Sequence, residues 1–507
     1  MPGLRTACSL AACVMLVSAE AASAQGRVTP DELARVVDSV AAGAVADGLV
    51  PALGVAVTMN GRTLLARSHG MADATGGVAA DDRTLWYLAS TSKSLTGFGV
   101  SLLAHDGVIS FHAPIAPLIP AARWHPDANP ARLTLGHFLS HTHHLNDAVV
   151  VTNAAFTGAV PESEWPGLLA YANPTGSTDL VYTNLGYNVA AMVIDAARPE
   201  GWRRFLEDRV YRPAGMTETY ARVSGFDPRR IARPHTLGAD GRYTTAPFLK
   251  TDVTMNAAGG HLATLHDLAR WTIVQMDSGR IDGRQVFPAA AVALSHRLIA
   301  PQTRDQSKRF GYFDRAGWGA GWDIGAYDGE HMVGRFGSYA GTQSRLGFLP
   351  SRRVGAVAMA TGGLAGPVSD VILTLAFDLG TGRTDAVTRA GERMEQLGGR
   401  LAQSRRSIAA SDSTRAERQK QVLQHPLTQF AGTFARPGLG EVSFSQRGNR
   451  LNLRWGAITS DVEIFDASRN QMRFEFAGSG TVAQFEFGPT GPATAVIIQG
   501  SRFERSR

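Results

Sequence analysis

The chain has 507 residues, of which 44% are hydrophobic and 19% charged, and its formal net charge is +6. This length exceeds one ordinary core, so we expect two or more domains. The composition is typical of a globular protein, and the lack of a dense basic run or recognition motif argues against a nucleic-acid partner. Beyond the N-terminal segment, no stretch reaches the 18 or more apolar residues of a membrane span.

The first 24 residues have the pattern of a secretory signal peptide. Arg5 supplies the positive end, "ACSLAACVMLV" the apolar region and "ASA", ending at Ala24, the small-residue cleavage site. We prefer cleavage after Ala24, giving a periplasmic or secreted protein, to a lipoprotein modified at Cys13 or a buried N-terminal helix. Both cysteines, Cys8 and Cys13, lie in this segment. A disulfide framework, a cysteine metal site and a thiol nucleophile are thereby excluded from the mature protein.

A first domain is expected at residues 25–385. Residues 52–67 form two apolar runs around Asn60-Gly61, which is a strong hairpin signal. Helical patterns with Gly/Pro loops fill about 85–300, and strand patterns return over 318–362, followed by a helix-like segment. Strands, a helical insertion and strands again predict an α+β fold in which both ends of the domain close one sheet.

The composition changes twice after this domain. Residues 386–425 contain no proline and are rich in Arg, Ala, Gln and Ser, which favours a solvated helical linker over a partner-binding segment. Residues 426–507 alternate apolar and polar positions around Gly-containing turns, as in "EVSFSQRGNRLNLRW". This alternation predicts a small all-β domain.

The stretch "YLASTSKSLTG" is the first candidate for chemistry. If a helix begins at Ser90, Lys93 lies on the same face three residues later, and a buried lysine can take the proton of a serine nucleophile. The alternative is an ordinary helix start, because Ser and Thr are favoured N-caps. Only four of the 50 basic residues are lysines. Arginine cannot act as a base in proteins, so a lysine at this position favours the catalytic interpretation.

A second candidate is "VYTNLG", in which Tyr182 and Asn184 lie two residues apart. In an extended segment these side chains point the same way, and a phenol and an amide can then serve proton transfer and orientation in one cleft. The plain alternative is a helix-capping Asn with a buried Tyr. A third candidate is the Gly-rich strand "GRFGSYAG", where small residues allow a substrate to approach the backbone.

Ser-x-x-Lys, Tyr-x-Asn and a late Gly-containing strand, in that order, resemble the class C β-lactamase and penicillin-binding serine hydrolase family. "LTLGHFLSHTHHL", "AAGGHLATLHDLARW", "WGAGW" and "LGFLPSRRVGAVAMATGG" resemble further segments of its members, so the likeness covers about residues 28–380. It implies a β-lactamase/DD-peptidase-like fold, with an antiparallel sheet, flanking helices and a helical subdomain. The tail resembles the small lipocalin-like β domain of some members.

The resemblance also implies roles for individual residues. Ser90 would be the acyl-accepting nucleophile and Lys93 its base, while Tyr182 would pass protons to and from the leaving group. Asn184 would orient the substrate and Lys93, and the backbone N–H groups of Ser90 and Ser338 would form the oxyanion hole. No metal and no cofactor are implied.

One position departs from the family pattern. The third motif usually opens with Lys or His and a small or hydroxyl residue before glycine, but here it is Arg335-Phe336-Gly337. All three are assigned to substrate binding, with Arg335 able to attract a carboxylate. Phe336 lacks the hydroxyl that many members use to bind a carboxylate. This favours an esterase or amidase over antibiotic hydrolysis, without excluding a peptidase.

A histidine run suggests a metal, but it lacks the H-E-x-x-H spacing, and Asp147 is its one obvious carboxylate partner. We therefore expect no metal there, but a loop that forms hydrogen bonds near the active site. The run comprises His137, His141, His143 and His144.

The sequence thus predicts an exported serine hydrolase acting on a small-molecule ester or amide or on a peptide, as an esterase, an amidase or D-aminopeptidase, or a β-lactamase-like enzyme. A non-catalytic protein of the same fold that binds peptidoglycan or a partner is the alternative, and either can associate with the cell wall. An acyltransferase would use the same residues. The sequence alone is compatible with all three of these functions.

Overall fold

The computed structural model of the protein describes residues 28–177, 180–303 and 313–506. The predicted signal peptide, residues 1–24, lies outside these ranges. Among the described helices, none combines the length and the apolar character needed to cross a membrane.

In the described ranges, one antiparallel sheet of nine strands forms the centre of the larger part of the chain. Its spatial order is β4-β5-β6-β7-β8-β9-β1-β2-β3, so strands from both ends of this region lie side by side, as the sequence predicted. The strands are β1 (Ala52–Met59), β2 (Arg62–Asp73), β3 (Val78–Ala79), β4 (Ala300–Pro301), β5 (Asp314–Trp318), β6 (Asp323–Tyr327), β7 (Glu330–Tyr339), β8 (Thr342–Leu349) and β9 (Val354–Thr361).

Two-residue turns set the register of this sheet at two places. Asn60 and Gly61 both have positive φ, 52° and 76°, as a type I′ turn requires, and they join β1 to β2. The predicted hairpin is therefore confirmed. Ala340 and Gly341, with φ of 46° and 84°, form the same kind of turn between β7 and β8.

Helices cover both faces of the sheet. Those of eight residues or more are α1 (Pro30–Ala46), α2 (Ser92–His105), α3 (Leu185–Ala197), α4 (Leu265–Met276), α5 (Ala289–His296), α6 (Ala365–Thr381) and α7 (Ala386–Arg418). On one face α1 and α6 bury their apolar sides against the strands. On the other face α4 packs against the sheet, and α2 and α3 form a helical region beyond it.

Short elements complete the helical region. Three two-residue strands form a small sheet that ends close to the start of α2, and two further strand pairs lie in the loops. The strands are Trp86–Tyr87, Thr219–Tyr220 and Leu262–Ala263, then His235–Leu237 with Tyr243–Thr245, and Arg280–Ile281 with Arg284–Gln285. Among the described residues the short α-helices are Leu135–Leu139, Ala148–Val151, Trp165–Leu168 and Gly201–Leu206, with Leu427–Phe430 after α7.

Helix α7 leads from the sheet region to the C-terminal part of the chain. Its first turns are buried through Ala386, Ala390, Met394 and Leu397, while most of the remaining helix faces solvent. Eight strands after it close into a barrel whose first and last strands pair. They are β10 (Gly432–Arg436), β11 (Gly440–Arg447), β12 (Arg450–Trp455), β13 (Ile458–Asp466), β14 (Gln471–Phe476), β15 (Ser479–Phe487), β16 (Ala493–Ile498) and β17 (Ser501–Arg505).

The fold class predicted from the sequence, α+β with a small all-β C-terminal unit, is confirmed. The alternating residues of the barrel strands fill its interior with aromatic and aliphatic side chains. Consecutive strands are neighbours throughout, which is the up-and-down arrangement of lipocalin-like barrels.

The barrel contacts the helical region directly. The N–H of Ala457 donates to the carbonyl of Thr157 over 2.6 Å, and Asn153 Nδ2 donates to the carbonyl of Gly438 over 2.7 Å. Phe156 lies between the two units, its ring centroid 5.1 Å from that of Phe476 in the barrel.

Candidate active site

Ser90 lies where a short strand turns into a helix. A 3-10 turn, Ala89–Thr91, precedes α2 directly. Ala89 is buried and has a φ of 46°, a left-handed conformation that costs a non-glycine residue of order 1–3 kcal/mol. Such backbone strain persists where the surrounding packing fixes it, and here it directs the Ser90 side chain into the cleft between the helical region and β7.

Lys93 follows on the same face, as the spacing predicts. Its side chain is fully buried, and Nζ donates to three oxygens: Ser90 Oγ at 3.1 Å, Asn184 Oδ1 at 2.7 Å and the carbonyl of Ala258 at 2.7 Å. Burial lowers the pKa of Lys93 well below its usual value, and the cation of Arg335 lowers it further. Both effects favour the neutral amine, which is the form that can accept a proton.

Tyr182 approaches Ser90 from another side. Its hydroxyl donates to Ser90 Oγ over 2.7 Å. Although 42% of the residue surface is exposed, the hydroxyl itself points inward. Burial raises the pKa of the Tyr182 phenol, and the Arg335 guanidinium acts in the opposite direction. The phenol thus stays protonated at neutral pH and can act as an acid.

Asn184 is held at the N-terminal end of α3 and connects two parts of the site. Its side-chain oxygen accepts the Lys93 bond, and its backbone N–H donates to Asp147 Oδ2 over 3.2 Å. Asp147 is largely enclosed, and burial raises the pKa of its carboxyl group. Asn184 therefore fixes the direction of the Lys93 amine.

Arg335 lies behind these groups and is itself 2% exposed. Its Nη2 donates to the Tyr182 hydroxyl over 3.0 Å and its Nε to the carbonyl of Ser90 over 3.1 Å. Its Nη1 lies 3.2 Å from Asp323 Oδ2, while Asp323 Oδ1 is 2.7 Å from Arg315. The guanidinium is thus engaged with the protein, and the predicted capture of a substrate carboxylate by Arg335 stays a prediction.

Sequence reasoning missed Asp323. It follows "WGAGW" directly, as an acid at the start of a strand that is otherwise apolar, and this is the signal that identifies it. Because Asp323 is buried and is paired with Arg315 as well as Arg335, it neutralises the cation behind Tyr182. The carbonyl of Ala258, a third ligand of the Lys93 amine, carries no sequence signal at all.

Gly337 permits the close approach of β7 to the start of the helix. A Cβ at this position would lie 2.4 Å from the carbonyl of Leu88 and 2.8 Å from the backbone nitrogen of Ser90. The turn at 340–341 makes Tyr339 and Thr342 a hydrogen-bonded pair. Ser338 and its partner are then a non-hydrogen-bonded pair, so the Ser338 N–H points away from β8, toward the Ser90 side.

Phe336 is not among the residues brought to Ser90. Side chains alternate along a strand, so Phe336 points to the opposite face from Arg335 and Gly337. Its ring lies 5.9 Å from that of Phe313 and 5.5 Å from the Arg345 guanidinium. The predicted contact of the Phe336 side chain with substrate is corrected on this ground, although the strand still offers no hydroxyl at that position.

The histidine run packs around Tyr182. His141 has its ring centroid 4.5 Å from that of Tyr182, and its Nδ1 accepts the N–H of Thr183 over 3.3 Å. His143 Nε2 lies 2.8 Å from Thr183 Oγ1, and His137 caps its own short helix. Within the described residues, no three His, Cys, Asp or Glu side chains are placed to hold a metal ion.

The geometry gives one hydroxyl both a base and an acid. Ser90 Oγ contacts a lysine that can be neutral and a tyrosine that keeps its proton. The first N–H groups of a helical segment lack partners within it, and the Ser338 N–H comes from the facing strand. Such a set can deprotonate the serine, bind an oxyanion and protonate a leaving group.

Comparisons with known proteins match most of this chain to a family. The family model described as Beta-lactamase matches residues 37–379. Penicillin-binding protein 4 of Amycolatopsis lactamdurans is 26% identical over 330 residues, covering 62% of this chain and 82% of that protein. Unguisins hydrolase ungD of Aspergillus violaceofuscus is 24% identical over 340 residues, 61% of this chain and 58% of the relative. The chain thus spans little more than half of that second relative.

Solved structures share the fold at lower identity. The octameric penicillin-binding protein homologue from Pyrococcus abyssi matches with a TM-score of 0.58 and 16% identity, over 92% of this chain and 98% of its own. D-amino acid amidase from Ochrobactrum anthropi SV3 matches with a TM-score of 0.55 and 20% identity, over 71% of this chain and 98% of its own.

Proposed function

The chain belongs to the β-lactamase family, and on this premise we propose that it is a serine hydrolase that cleaves an ester or amide bond through an acyl-enzyme on Ser90. One observation carries the assignment: Lys93 Nζ and Tyr182 Oη both contact Ser90 Oγ, at 3.1 and 2.7 Å. A protein that only binds a ligand has no need of a buried lysine with a lowered pKa beside a serine hydroxyl.

Acylation follows from these contacts. Neutral Lys93 takes the proton of Ser90, and Oγ forms a bond to the carbonyl carbon of the substrate. The oxyanion accepts hydrogen bonds from the N–H groups of Ser90 and Ser338. As the bond to the leaving oxygen or nitrogen breaks, Tyr182 donates its proton to that atom. The proton on Lys93 then returns to Tyr182, since both groups contact Ser90 Oγ.

Deacylation reverses the roles. A water molecule attacks the acyl carbon, and Lys93, which is neutral again after acylation, takes the proton of that water. The bond from the acyl carbon to Ser90 Oγ breaks, Oγ recovers a proton, and the carboxylic acid product leaves. Asn184 and Asp323 hold Lys93 and Arg335 in place throughout and exchange no proton themselves.

The site fits esters and amides other than β-lactams best. Arg335 is committed to Ser90, Tyr182 and Asp323, and the side chain of Phe336 lacks a hydroxyl and points to the opposite face of the strand. The groups that would hold the carboxylate of a β-lactam at the third motif are thus engaged or missing. A relative named as an unguisins hydrolase is consistent with a hydrolase, and a structural neighbour named as a D-amino acid amidase is consistent with an amide substrate.

Turnover of a substrate panel tests the function. The panel contains 4-nitrophenyl acetate, a D-phenylalanine amide, a cephalosporin and a D-Ala-D-Ala peptide, each assayed with the wild type, Ser90→Ala and Ser92→Ala. We expect turnover of the ester or the D-amino-acid amide that Ser90→Ala abolishes. Ser92 is buried two residues away, and its variant should keep turnover. Equal turnover by Ser90→Ala and the wild type would contradict the assignment, and fastest turnover of the cephalosporin would contradict the substrate preference.

Export is inferred from the pattern of residues 1–24. Expression of the full chain in a Gram-negative host, followed by fractionation and N-terminal sequencing, tests it. A periplasmic product that begins at Gln25 is expected, whereas a cytoplasmic product that keeps residues 1–24 would contradict it.

A further inference from the structure

A cavity of about 180 Å³ lies beside the candidate site. Two tyrosines belong both to its wall and to the segments that build the site: Tyr87, three residues before Ser90, and Tyr339, the neighbour of Ser338. Further lining comes from aliphatic side chains, among them Val223, Ile231 and Leu262. The cavity is therefore apolar over most of its wall, and two of its lining residues belong to the segments that carry Ser90 and Ser338.

The charged side chains in this wall are both cations, Arg233 and Lys250, and no acidic residue is among the described lining residues. Nε of Arg233 is buried and has no hydrogen-bond partner in the described part of the chain. Asp73 lies close enough to Arg233 to interact with its charge. However, the Asp73 carboxylate accepts hydrogen bonds from Thr245 and Gly76 and forms no ion pair with Arg233.

Lys250 is enclosed in the same wall. Its Nζ lies 4.0 Å from the ring centroid of Tyr339 and 5.8 Å from that of Tyr87. It donates to the carbonyls of Ala155 and Thr254, which leaves one of its three protons for a ligand. Among the described residues it forms no ion pair, and burial lowers its pKa to about 7. A partly buried cation that has no counter-ion among the described residues favours an anionic ligand.

The direction of β7 places this cavity on one side of the nucleophile. Arg335, Gly337 and Tyr339 point to the same face, and Gly337 is the residue that contacts the Ser90 backbone. Arg335 and the proton donor Tyr182 lie toward one end. Tyr339 lies toward the other end, about 13 Å from Arg335 along the strand. A substrate whose leaving group faces Tyr182 thus directs its acyl group toward Tyr339 and the cavity.

We propose that the cavity is the acyl-binding subsite and that it accepts a short apolar acyl chain ending in a carboxylate, held by Lys250 and Arg233. This rests on the proposed function, because the acyl group is the one transferred to Ser90. The substrate class is then a monoester or monoamide of a dicarboxylic acid. A water molecule occupies about 30 Å³ in the liquid, so the cavity has room for roughly six groups of that size, which suits an acyl chain of the length of glutaryl.

The chemistry of this substrate is the same as that of a neutral ester. Ser90 Oγ forms a bond to the carbonyl carbon, the bond to the leaving group breaks, and water releases the dicarboxylate. The distal carboxylate stays ionised and forms no covalent bond. Lys250 and Arg233 therefore determine specificity and take no part in proton transfer at Ser90.

A matched pair of esters tests this subsite. Mono(4-nitrophenyl) glutarate and 4-nitrophenyl pentanoate have acyl chains of equal length that differ in the terminal carboxylate. We expect the wild type to favour the glutarate by about 10-fold or more in kcat/KM, as a charge-assisted hydrogen bond supplies. Lys250→Met should remove most of this preference, while Lys420→Met, a change at an exposed lysine of α7's C-terminal flank, should keep it. A wild-type ratio of one or below, or a ratio that Lys250→Met leaves unchanged, would overturn the proposal.

A binding measurement separates this inference from the proposed function. Pentanoate and pentan-1-ol, which match the chain length that the cavity holds, are titrated calorimetrically into the wild type and into Ser90→Ala, and neither ligand requires turnover. The acid should bind about 10-fold or more tightly than the alcohol in both proteins. Equal affinities would overturn the subsite, even if Lys250→Met failed to fold. Preferential binding of the acid without turnover of either ester would contradict the proposed function and support the subsite.

Discussion

Arg335 Nη2 donates a hydrogen bond of 3.0 Å to the hydroxyl of Tyr182, so the cation of the third motif acts from behind the proton donor. The same guanidinium contacts the carbonyl of Ser90 and is neutralised by Asp323. A single buried side chain thereby links the nucleophile, the acid and the sheet. Its effect on the pKa values of the site leads to the first prediction.

Arg335→Gln should move the acid limb of the pH–rate profile to higher pH. Lys93 acts as a base only when neutral, so kcat/KM rises as pH passes its pKa. The Arg335 cation lowers the pKa of Lys93. Removing the cation raises that pKa, and less of the lysine is neutral at pH 7. A pH series of kcat/KM checks the shift, with Arg229→Gln, a change at an exposed arginine, as control. A limb that stays in place or moves down would contradict the assigned role.

Lys93→Arg should abolish most of the activity although it keeps the positive charge. Arginine cannot give up its proton in a protein, and a positioned general base contributes typically 10²–10⁴-fold. We expect kcat/KM to fall by about that factor. Lys420→Arg serves as the matched control at an exposed site. A Lys93→Arg enzyme with at least half of the wild-type rate would show that the lysine serves only as a cation.

Gly337→Ala should impair the oxyanion hole more than the fold. The added Cβ meets the carbonyl of Leu88 at 2.4 Å and the nitrogen of Ser90 at 2.8 Å, so the strand must move away from the nucleophile. Loss of one oxyanion donor costs about 10²–10³ in kcat. Stopped-flow acylation rates and thermal unfolding of the same samples separate the two effects.

Gly363→Ala is the control for this change, because its Cβ would meet no atom of the described residues within 4 Å. A Gly337→Ala enzyme with wild-type acylation rates would mean that β7 does not approach Ser90 as closely as the structure describes.

Phe156→Ala should loosen the contact between the barrel and the helical region. The ring lies 5.8 Å from Tyr339 and 5.1 Å from Phe476, and such aromatic pairs contribute about 0.5–1.5 kcal/mol each beyond the area they bury. We expect differential scanning calorimetry to show a lower Tm, with the barrel transition separating from the main one. Phe226→Ala, whose ring packs on Tyr220, should lower the Tm without separating the transitions.

The sequence predicted those parts of the fold that depend on local pattern. The Asn60-Gly61 hairpin, the helix after Ser90 and the alternating strands of the barrel all follow from turn chemistry and periodicity. The two ends of the sheet could be expected to meet, because strand patterns flank a helical insertion. The register and the closure of the barrel are long-range pairings that no local pattern specifies.

The site was predictable where spacing fixes geometry. Ser90 and Lys93 are one helical turn apart, and Tyr182 and Asn184 are two residues apart in an extended segment. Asp323, the carbonyl of Ala258 and the enclosure of Lys250 depend on residues that are distant in sequence, and burial decides their chemistry. Phe336 was assigned to substrate binding by its place in the third motif, but the alternation of the strand turns its ring to the other face.

The most direct test of the central claim is to locate the acyl-enzyme. The wild type is labelled with a fluorophosphonate serine probe, digested with trypsin, and the peptide of residues 84–93 is fragmented by mass spectrometry. The structure predicts one label, on Ser90, which is absent from Ser90→Ala and kept in Ser92→Ala. A label on Ser92 or another hydroxyl of this peptide, or undiminished labelling of Ser90→Ala, would contradict the assignment of Ser90 as the nucleophile.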